Sequence, residues 1–245
     1  MSKQNENFLE GLRDGLPICL GYLSVSFAFG ISAVGMGLSC LEAVLISMFN
    51  LTSAGQLAGA PILASFGSLY ELALAQLIIN LRYSLMSISL SQKFGSSVRT
   101  RDRFWIAFCT TDEIFAVASG KKDSVGRRYM AGLCLTPPIG WTLGTLFGAI
   151  LGNVLPESIS SALGLAIYGM FVAIVLPPCK KSTSTLMAVL VSAALSCAIF
   201  YISAFDFISS GFSVIICAVV SSAIFALLFP VKSEEEKEVN NGTLS

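Results

Sequence analysis

The chain has 245 residues, of which 54% are hydrophobic and 12% are charged, and its formal net charge at pH 7 is zero. Soluble domains usually contain about 25% charged residues, so this composition, with a mean hydropathy of +0.77, excludes a soluble domain and indicates a membrane protein. There is no histidine, which excludes Ser-His-Asp, Cys-His and HExxH chemistry. The seven cysteines are scattered without a CxxC pair, so we expect neither an enzyme nor a cofactor or metal site.

Eight apolar segments follow one another, at about 16–38, 42–66, 70–91, 104–119, 129–152, 160–178, 184–204 and 209–230. Most approach or exceed the roughly 18–20 residues that cross a bilayer. The first lacks a clear small-residue cleavage site, so we expect a retained span. We predict an all-α polytopic protein of six to eight transmembrane segments. A cytoplasmic N-terminal segment at 1–15 would precede one transmembrane domain at 16–230, and a disordered cytoplasmic tail would follow at 231–245.

The basic residues predict the orientation, because short cytoplasmic loops are enriched in Lys and Arg. The connections at 92–103 and 120–128 are basic, whereas those near Ser39, Glu157 and Asp206 contain no Lys or Arg. Eight plain spans would place the basic 92–103 loop outside. The conflict disappears if 42–66 enters and leaves on the outer side and 104–119 on the inner side. We therefore predict six full spans and two re-entrant segments, with eight plain spans as the alternative.

Both of these segments have polar centres. The first contains "FNLTSAGQLAGAP", with Ser53 and Gln56 near its middle, and the second contains "TTDE" at 110–113. At 100° per residue, four successive polar residues cannot share one face of a helix. Irregular backbone at membrane depth survives only where protein or a water-filled cavity surrounds it. Both segments are thus predicted to be interrupted helices that line a site, as in secondary transporters. Two ordinary buried helices with polar packing contacts are the alternative.

Apart from the segment ends, three charged residues, Arg82, Asp112 and Glu113, lie within these apolar segments. One such residue at mid-helix costs about 2.5–3.5 kcal/mol on insertion scales, so we predict that Arg82 pairs with Asp112 or Glu113. Arg82 lies about 200° around the helix from Asn80, which belongs to a polar stripe. Either two faces of this helix meet polar surroundings or the helix unwinds near Asn80. A purely structural ion pair is the alternative to a site.

These groups suit a zwitterionic solute. A guanidinium binds a carboxylate through two parallel hydrogen bonds, and an acidic pair can accept an ammonium group. Two adjacent carboxylates in a low dielectric also raise one pKa, which suits proton-coupled transport. The sequence therefore indicates a transporter for a small zwitterion.

Small residues and prolines mark the next span. Gly140, Gly144, Gly148 and Gly152 recur every four residues, a ridge that lets helix backbones approach closely, either within the chain or against a partner subunit. We expect Pro137-Pro138 to break or start this helix. We expect Pro17 in the first turn of the first span.

Several stretches resemble one known family. "NLRYSLMSISL" (80–90), "TTDEIFAV" (110–117), "SAGQLAGAPIL" (53–63) and "GLRDGLPICLGYLSVSFAFG" (11–30) resemble motifs of the AzlC-type branched-chain amino acid transporters. The resemblance extends over about 1–230. It maps the family's motif residues onto Asn80, Arg82, Tyr83, Thr111, Asp112 and Glu113. Tyr83 stands where many members have histidine.

The resemblance implies the large subunit of an exporter of leucine, isoleucine, valine and sometimes methionine, driven by the proton motive force. It also implies a small AzlD-type membrane subunit as partner, and the cytoplasmic membrane of a bacterium as location. Together with the residues above, Gln56 and Ser53 complete the predicted substrate-binding or proton-coupling set. The alternatives are an importer or channel-like permease for another small zwitterion and a membrane scaffold subunit that transports nothing.

Overall fold

The computed structural model describes residues 4–5, 7–152, 175–180, 182–205 and 207–229, with 158, 169 and 172 as isolated positions. The predicted tail at 231–245 and most of the predicted segment at 160–178 lie outside the described residues. The chain divides into two compact units, Met1–Val172 and Ala173–Ser245.

The described helices confirm the all-α polytopic class. In the first unit they are α1 (Phe8–Gly35), α2 (Cys40–Phe49), α3 (Ser53–Ala64), α4 (Leu69–Lys93), α5 (Thr100–Cys109), α6 (Asp112–Ser119) and α7 (Arg127–Leu151). In the second they are α8 (Thr183–Tyr201) and α9 (Ser210–Leu228), with a 3-10 turn at Ser203–Phe205. Helices α1, α4, α7, α8 and α9 are each long and apolar enough to cross a membrane. Two short strands, β1 (Gln4–Asn5) and β2 (Ser124–Val125), pair in parallel.

Helix α1 begins eight residues before the predicted boundary at 16. Its N-cap is Asn7, whose side chain accepts hydrogen bonds from the N–H groups of Leu9 and Glu10. Pro17 is therefore inside the helix rather than in its first turn, and that prediction is wrong. The prediction for Pro137-Pro138 is also wrong, because α7 runs through both prolines without a break. Close packing of α1 against α7 offsets the loss of the backbone hydrogen bonds that the prolines remove.

Helices α1 and α7 pack in parallel along nearly their whole length. A Cβ added to Gly11 would lie 2.1 Å from the carbonyl oxygen of Tyr129, and one added to Gly148 would lie 2.0 Å from that of Phe27. Such distances leave room for a hydrogen atom only. The glycine ridge of α7 therefore packs inside the chain, against α1, rather than being reserved for a partner subunit.

The segment predicted to re-enter at 104–119 is interrupted, as α5 and α6, and both of its ends lie on one face of the unit. Phe94, just before α5, forms a β-bridge with Val125, just after α6. Asp102 in the first turn of α5 pairs with Arg127 at the start of α7, at 3.1 Å. We call this side, which carries the loops at 94–99 and 120–126, the basic face. The segment thus enters from the basic face and returns to it.

The segment predicted to re-enter at 42–66 forms the opposite arrangement. Leu63 and Ala64 at the end of α3 pack in one apolar cluster with Met36 and Leu38. Met36 caps the end of α1, and Leu38 follows it. Since α1 starts on the basic face, this cluster lies on the opposite face. Both ends of the α2–α3 segment therefore lie there, and the interruptions that replace two ordinary helices are confirmed.

Besides the Asp102–Arg127 pair, a network of charged residues around Lys121 holds the basic face together. Lys121 contacts Glu10 and Asp14, each at 2.8 Å, and its ammonium group lies 5.1 Å from the centre of the Tyr129 ring. Partial burial acts to lower the pKa of Lys121, but the hydrogen bonds it donates to Asp14 and Glu10 outweigh this and raise it. These contacts explain why α1 can begin in a charged stretch that hydropathy alone excludes from a span.

In the second unit, α8 and α9 pack against each other. The hydroxyl of Ser221 in α9 donates to the carbonyl oxygen of Ala188 in α8 at 2.8 Å. Residues 175–180 are also helical. The predicted site residues all belong to the first unit.

Candidate functional site

The middles of three long helices meet the tips of the two interrupted segments. Tyr22 lies at the middle of α1, Arg82 at the middle of α4 and Trp141 near the middle of α7. The central cluster, as we use the term, comprises Tyr22, Asn50, Gln76, Asn80, Arg82, Thr111, Asp112 and Glu113. A helix rises 1.5 Å per residue, so Tyr22 and Arg82 are roughly 20 Å from either end of their helices and the cluster lies at mid-membrane depth.

Tyr22 connects α1 to the tip between α5 and α6. Its hydroxyl lies 2.6 Å from the hydroxyl of Thr111 and also donates a hydrogen bond to the carboxylate of Glu113. Its ring packs edge-to-face on Trp141, with 5.0 Å between ring centres. Leu51, at the tip of the other segment, belongs to the same buried cluster as Tyr22 and Trp141. The two tips therefore converge on one phenol.

Arg82 pairs with Asp112, as one of the two predicted options. Its Nη1 lies 3.1 Å from Oδ1 and its Nη2 lies 2.9 Å from Oδ2, so two parallel hydrogen bonds join the groups. Nη2 also donates to the hydroxyl of Tyr83 at 3.0 Å. The side chains of Arg82 and Asp112 are 43% and 39% exposed, so a second species can reach this pair. Two-pronged geometry of this kind is how guanidinium groups bind carboxylates.

An amide chain joins α4 to the other tip. Gln76 accepts hydrogen bonds from Asn50 and Asn80, each at 3.1 Å, and donates to the carbonyl oxygen of Gly55 at 2.7 Å. The Oδ1 atom of Asn80 is buried and has no protein partner. Helix α4 is continuous through Asn80. The alternative of an unwound helix is therefore wrong, and α4 presents two polar faces.

Gln56 and Ser53 lie beside this chain, behind Trp141. The Nε2 of Gln56 donates to the carbonyl oxygen of Asn50 at 2.7 Å and to the hydroxyl of Ser47 at 3.1 Å. A cavity of about 10 Å³ is lined by Val25, Phe29, Ser53, Gln56, Leu57 and Trp141. Gln56 Oε1 and Trp141 Nε1 are both buried without a protein partner. This cavity is at the lower limit for a single water molecule, and too small for a solute.

Two helices begin at the centre of the unit. Thr52 caps α3 by accepting from the N–H of Gly55 at 3.1 Å, and Thr111 caps α6 by accepting from the N–H of Ile114 at 3.5 Å. The N-terminus of a helix carries about half a positive charge. Asp112 and Glu113 lie in the first turn of α6, where this field favours their carboxylates. The ends of two half-helices therefore add positive potential around the central cluster.

A larger cavity leads from the basic face toward this cluster. It has a volume of about 370 Å³ and lies between α4 and α5. Its lining is mostly apolar and comprises Ser87, Ile88, Leu90, Ser91, Phe94, Thr100, Arg103, Phe104, Ile106, Ala107 and Thr110. Thr110 directly precedes Thr111 of the cluster. The volume lies within the range of small-molecule sites.

The structure brings five of the eight predicted residues together at the ion pair and the phenol of Tyr22. Arg82, Tyr83, Thr111, Asp112 and Glu113 surround the ion pair and the phenol. Asn80 and Gln56 belong to the amide chain through Gln76 and Asn50, and Ser53 lines the small cavity beside Gln56. Sequence reasoning missed Tyr22 and Trp141. A phenol in the middle of an apolar span needs a hydrogen-bond partner, which is the signal that could have found Tyr22. Among the described residues, no group of three or more Cys, Asp or Glu could hold a metal ion.

Comparison with known proteins gives one family. The family model described as "AzlC protein" matches residues 17–155. The chain is 30% identical over 227 residues to "Inner membrane protein YgaZ" of Escherichia coli, covering 89% of this chain and 91% of that protein. It is 31% identical to an "Uncharacterized membrane protein" of Archaeoglobus fulgidus, covering 71% and 76%. A Helicobacter pylori "Uncharacterized membrane protein" is 27% identical, covering 60% and 66%. No solved structure matches the chain significantly.

Proposed function

The chain belongs to the AzlC family of membrane proteins, and from this premise we propose that it is a secondary transporter subunit that exports branched-chain amino acids from a bacterial cytoplasm. The observation that carries the proposal is the two-pronged Arg82–Asp112 pair, accessible and at mid-membrane depth beside a second carboxylate. The proposed substrates are leucine, isoleucine, valine and methionine.

The ion pair offers a way to bind a zwitterion by exchange of partners. The substrate carboxylate takes the place of Asp112 on the Arg82 guanidinium, and the released Asp112 accepts the substrate ammonium group. Arg82 and Asp112 then each have a partner of opposite charge both with and without substrate. Leaving either charge unpaired at mid-membrane depth costs several kcal/mol. The exchange of partners avoids this cost. The field of the α6 N-terminus favours the anionic end of the substrate on the same side.

Glu113 has a different role in this proposal. It accepts a hydrogen bond from Tyr22 instead of contacting the guanidinium. Arg82 therefore neutralises the charge of Asp112 but not that of Glu113. We assign the coupling proton to Glu113, with Tyr22 and Thr111 orienting its carboxylate. This assignment does not need the histidine that many family members have at position 83, since Tyr83 contacts Arg82 instead.

The cavity between α4 and α5 supports the choice of an apolar side chain. Leucine-sized side chains fit its apolar lining, and Ser87, Ser91 and Thr110 line the route of the charged end. An apolar pocket separates side chains that differ by one methylene by only about 1–3 kcal/mol. We therefore expect several branched-chain amino acids to compete for one site.

The exposure of the ion pair supports a partner subunit. A guanidinium and a carboxylate at mid-membrane depth cannot face lipid, so water or another protein surface must cover them. Helix α4 also exposes an apolar row, namely Leu74, Leu77, Leu81 and Leu85. We propose that the small AzlD-type subunit packs on this side.

Counterflow of radiolabelled leucine in proteoliposomes tests the proposal. The protein is reconstituted with and without the small subunit, and vesicles are loaded with unlabelled leucine. We expect Arg82→Lys to lower counterflow at least tenfold, because lysine cannot make the two parallel bonds. Arg101→Lys, a change at an exposed arginine of the basic face, is the matched control and should keep the wild-type rate.

Three results separate the alternatives. Counterflow of another zwitterion but not of leucine would favour a permease for a different solute. No counterflow of any amino acid by the assembled wild type would favour a scaffold. A folded Arg82→Lys variant with full activity would leave the ion pair as a purely structural contact.

A further inference from the structure

A second cavity lies on the basic face, separate from the central cluster. Its volume is about 660 Å³ and its lining comprises Phe8, Ser96, Ser97, Arg99, Arg127, Arg128 and Ala131. Three of these seven residues are arginines. Arg99 ends the 94–99 loop and Arg127 and Arg128 begin α7, and the bridge between Phe94 and Val125 brings these two stretches together. The transport mechanism proposed above uses none of them.

The charge around this cavity is strongly positive. The stretches 93–103 and 120–128 together contain eight Lys and Arg residues against two aspartates. One of these, Asp102, accepts the N–H of Arg99, which lowers the pKa of its carboxyl group and keeps it ionised. Asp102 pairs with Arg127, yet the side chain of Arg127 remains 50% exposed. The cavity therefore presents guanidinium groups to an approaching anion.

The position of the cavity indicates which anion reaches it. Phe8 is the first residue of α1 and Ala131 is the fifth residue of α7. Because both helices cross the membrane, the cavity sits where the hydrocarbon core gives way to the headgroup layer. Phe8 is 39% exposed there. By the enrichment of Lys and Arg in cytoplasmic loops, this layer belongs to the cytoplasmic leaflet. Apolar groups on the membrane side and cations on the water side match the two ends of a lipid.

We propose that this cavity binds the phosphate headgroup of an anionic phospholipid of the cytoplasmic leaflet. Arg99 and Arg128 contact the phosphate, since guanidinium groups bind phosphate oxygens with paired hydrogen bonds. The acyl chains lie along Phe8 and Ala131. Basic pockets between transmembrane helices on this side of the membrane are suited to such headgroups. A bound lipid would tie the 94–99 loop to the starts of α1 and α7.

Native mass spectrometry of the full chain in detergent, with its small subunit if the two purify together, tests the site. The probes are phosphatidylglycerol, cardiolipin, phosphatidylcholine and inorganic phosphate. We expect the two anionic lipids to bind at least fivefold more tightly than phosphatidylcholine. The double variant Arg99→Gln/Arg128→Gln should reduce their binding to the level of phosphatidylcholine.

The matched control is Arg101→Gln/Lys122→Gln, which removes the same charge from exposed positions outside the cavity. It should change binding by no more than twofold. An equal loss in this control would overturn the site in favour of a diffuse surface charge. Equal binding of phosphatidylcholine, or displacement of the lipids by millimolar inorganic phosphate, would overturn the lipid as occupant. If the double variant does not fold, Arg99→Gln alone should still lower binding at least twofold, and an unchanged value would contradict the proposal.

Discussion

The α1–α7 pair and the two interrupted segments differ in what decides whether a helix continues or stops inside the membrane. Helices α1 and α7 hold three prolines between them and remain continuous, whereas the breaks at 50–52 and 110–111 contain no proline. At the first break, Asn50 accepts the N–H of Thr52, and Gln56 donates to the carbonyl oxygen of Asn50. Polar side chains that satisfy free backbone groups, rather than prolines, therefore decide where these helices stop.

The same comparison distinguishes the region that stabilises the fold from the region proposed to bind substrate and protons. The α1–α7 contact consists largely of glycines against backbone and leaves no space for adjustment. The interrupted segments and α4 together contain the charged and amide groups of the central cluster, several of which have exposed or unpartnered atoms. We expect substitutions in the pair to affect folding and substitutions in the cluster to affect transport.

The largest expected effect is on the packed pair. Gly148→Leu places a Cβ 2.0 Å from the carbonyl oxygen of Phe27, so the helices must separate. We expect a loss of about 3 kcal/mol of stability or more, measured as a fall in the unfolding temperature and in the monodisperse yield. Gly21→Leu, in α1 with open space around it, is the control and should keep the wild-type stability. Equal behaviour of the two variants would contradict the packing.

The next effect separates the two carboxylates of the cluster. Glu113→Gln keeps the Arg82–Asp112 pair, so counterflow should stay within about threefold of wild type. Transport driven by a pH gradient should fall at least tenfold, because glutamine cannot carry a proton. Asp112→Asn leaves Arg82 without its anion and should lower both activities at least tenfold. Both assays use the same proteoliposomes, and gradient-driven transport that survives in Glu113→Gln would show that another group carries the proton.

A smaller effect is expected at the phenol. Tyr22→Phe removes the hydroxyl that contacts Thr111 and Glu113 but keeps the ring on Trp141. A hydrogen bond to a charged group contributes about 1.5–3 kcal/mol, so gradient-driven transport should fall roughly tenfold or more with little change in unfolding temperature. Tyr70→Phe is the matched control, since Tyr70 is 88% exposed. A similar loss in the two variants would remove Tyr22 from the mechanism.

The smallest effect is on the charged contact of Lys121 outside the cluster. Lys121→Gln should lower stability by about 1 kcal/mol, and Lys122→Gln should not. The pKa of Lys121 is raised above its ordinary 10.5, so its contribution is complete below that pH and is lost as the pH rises through the folded value. The stability difference should therefore be constant between about pH 6 and 9 in thermal unfolding. A difference that disappears within this range would assign the contribution to another group.

Energetic arguments allowed much of the site to be predicted from the sequence. An arginine within an apolar segment required an acidic partner, and four successive polar residues required an interruption. The conflict between loop charge and span number predicted the re-entrant geometry. The first two inferences rest on the high cost of exposing charge or backbone to lipid, and the third rests on the enrichment of Lys and Arg in cytoplasmic loops.

The rest depended on positions in three dimensions. From the sequence alone, Tyr22 is indistinguishable from an ordinary packing residue, because its partners Thr111 and Glu113 lie 89 and 91 residues further along the chain. Which of two adjacent acids meets Arg82 depends on the placement of α6 against α4. The start of α1 at Phe8 depended on Lys121, whose contacts neutralise charges that a hydropathy profile counts against a span.

The central claim is that the two interrupted segments enter from opposite faces and meet at Tyr22. Single cysteines placed at Gly35, Ser68, Thr100 and Ser119 in a cysteine-free background, labelled from each side of the membrane, test it most directly. The account predicts that Gly35→Cys and Ser68→Cys react from one side and that Thr100→Cys and Ser119→Cys react from the other. Labelling of the two members of either pair from opposite sides would mean that the segment crosses the membrane, and would contradict the account.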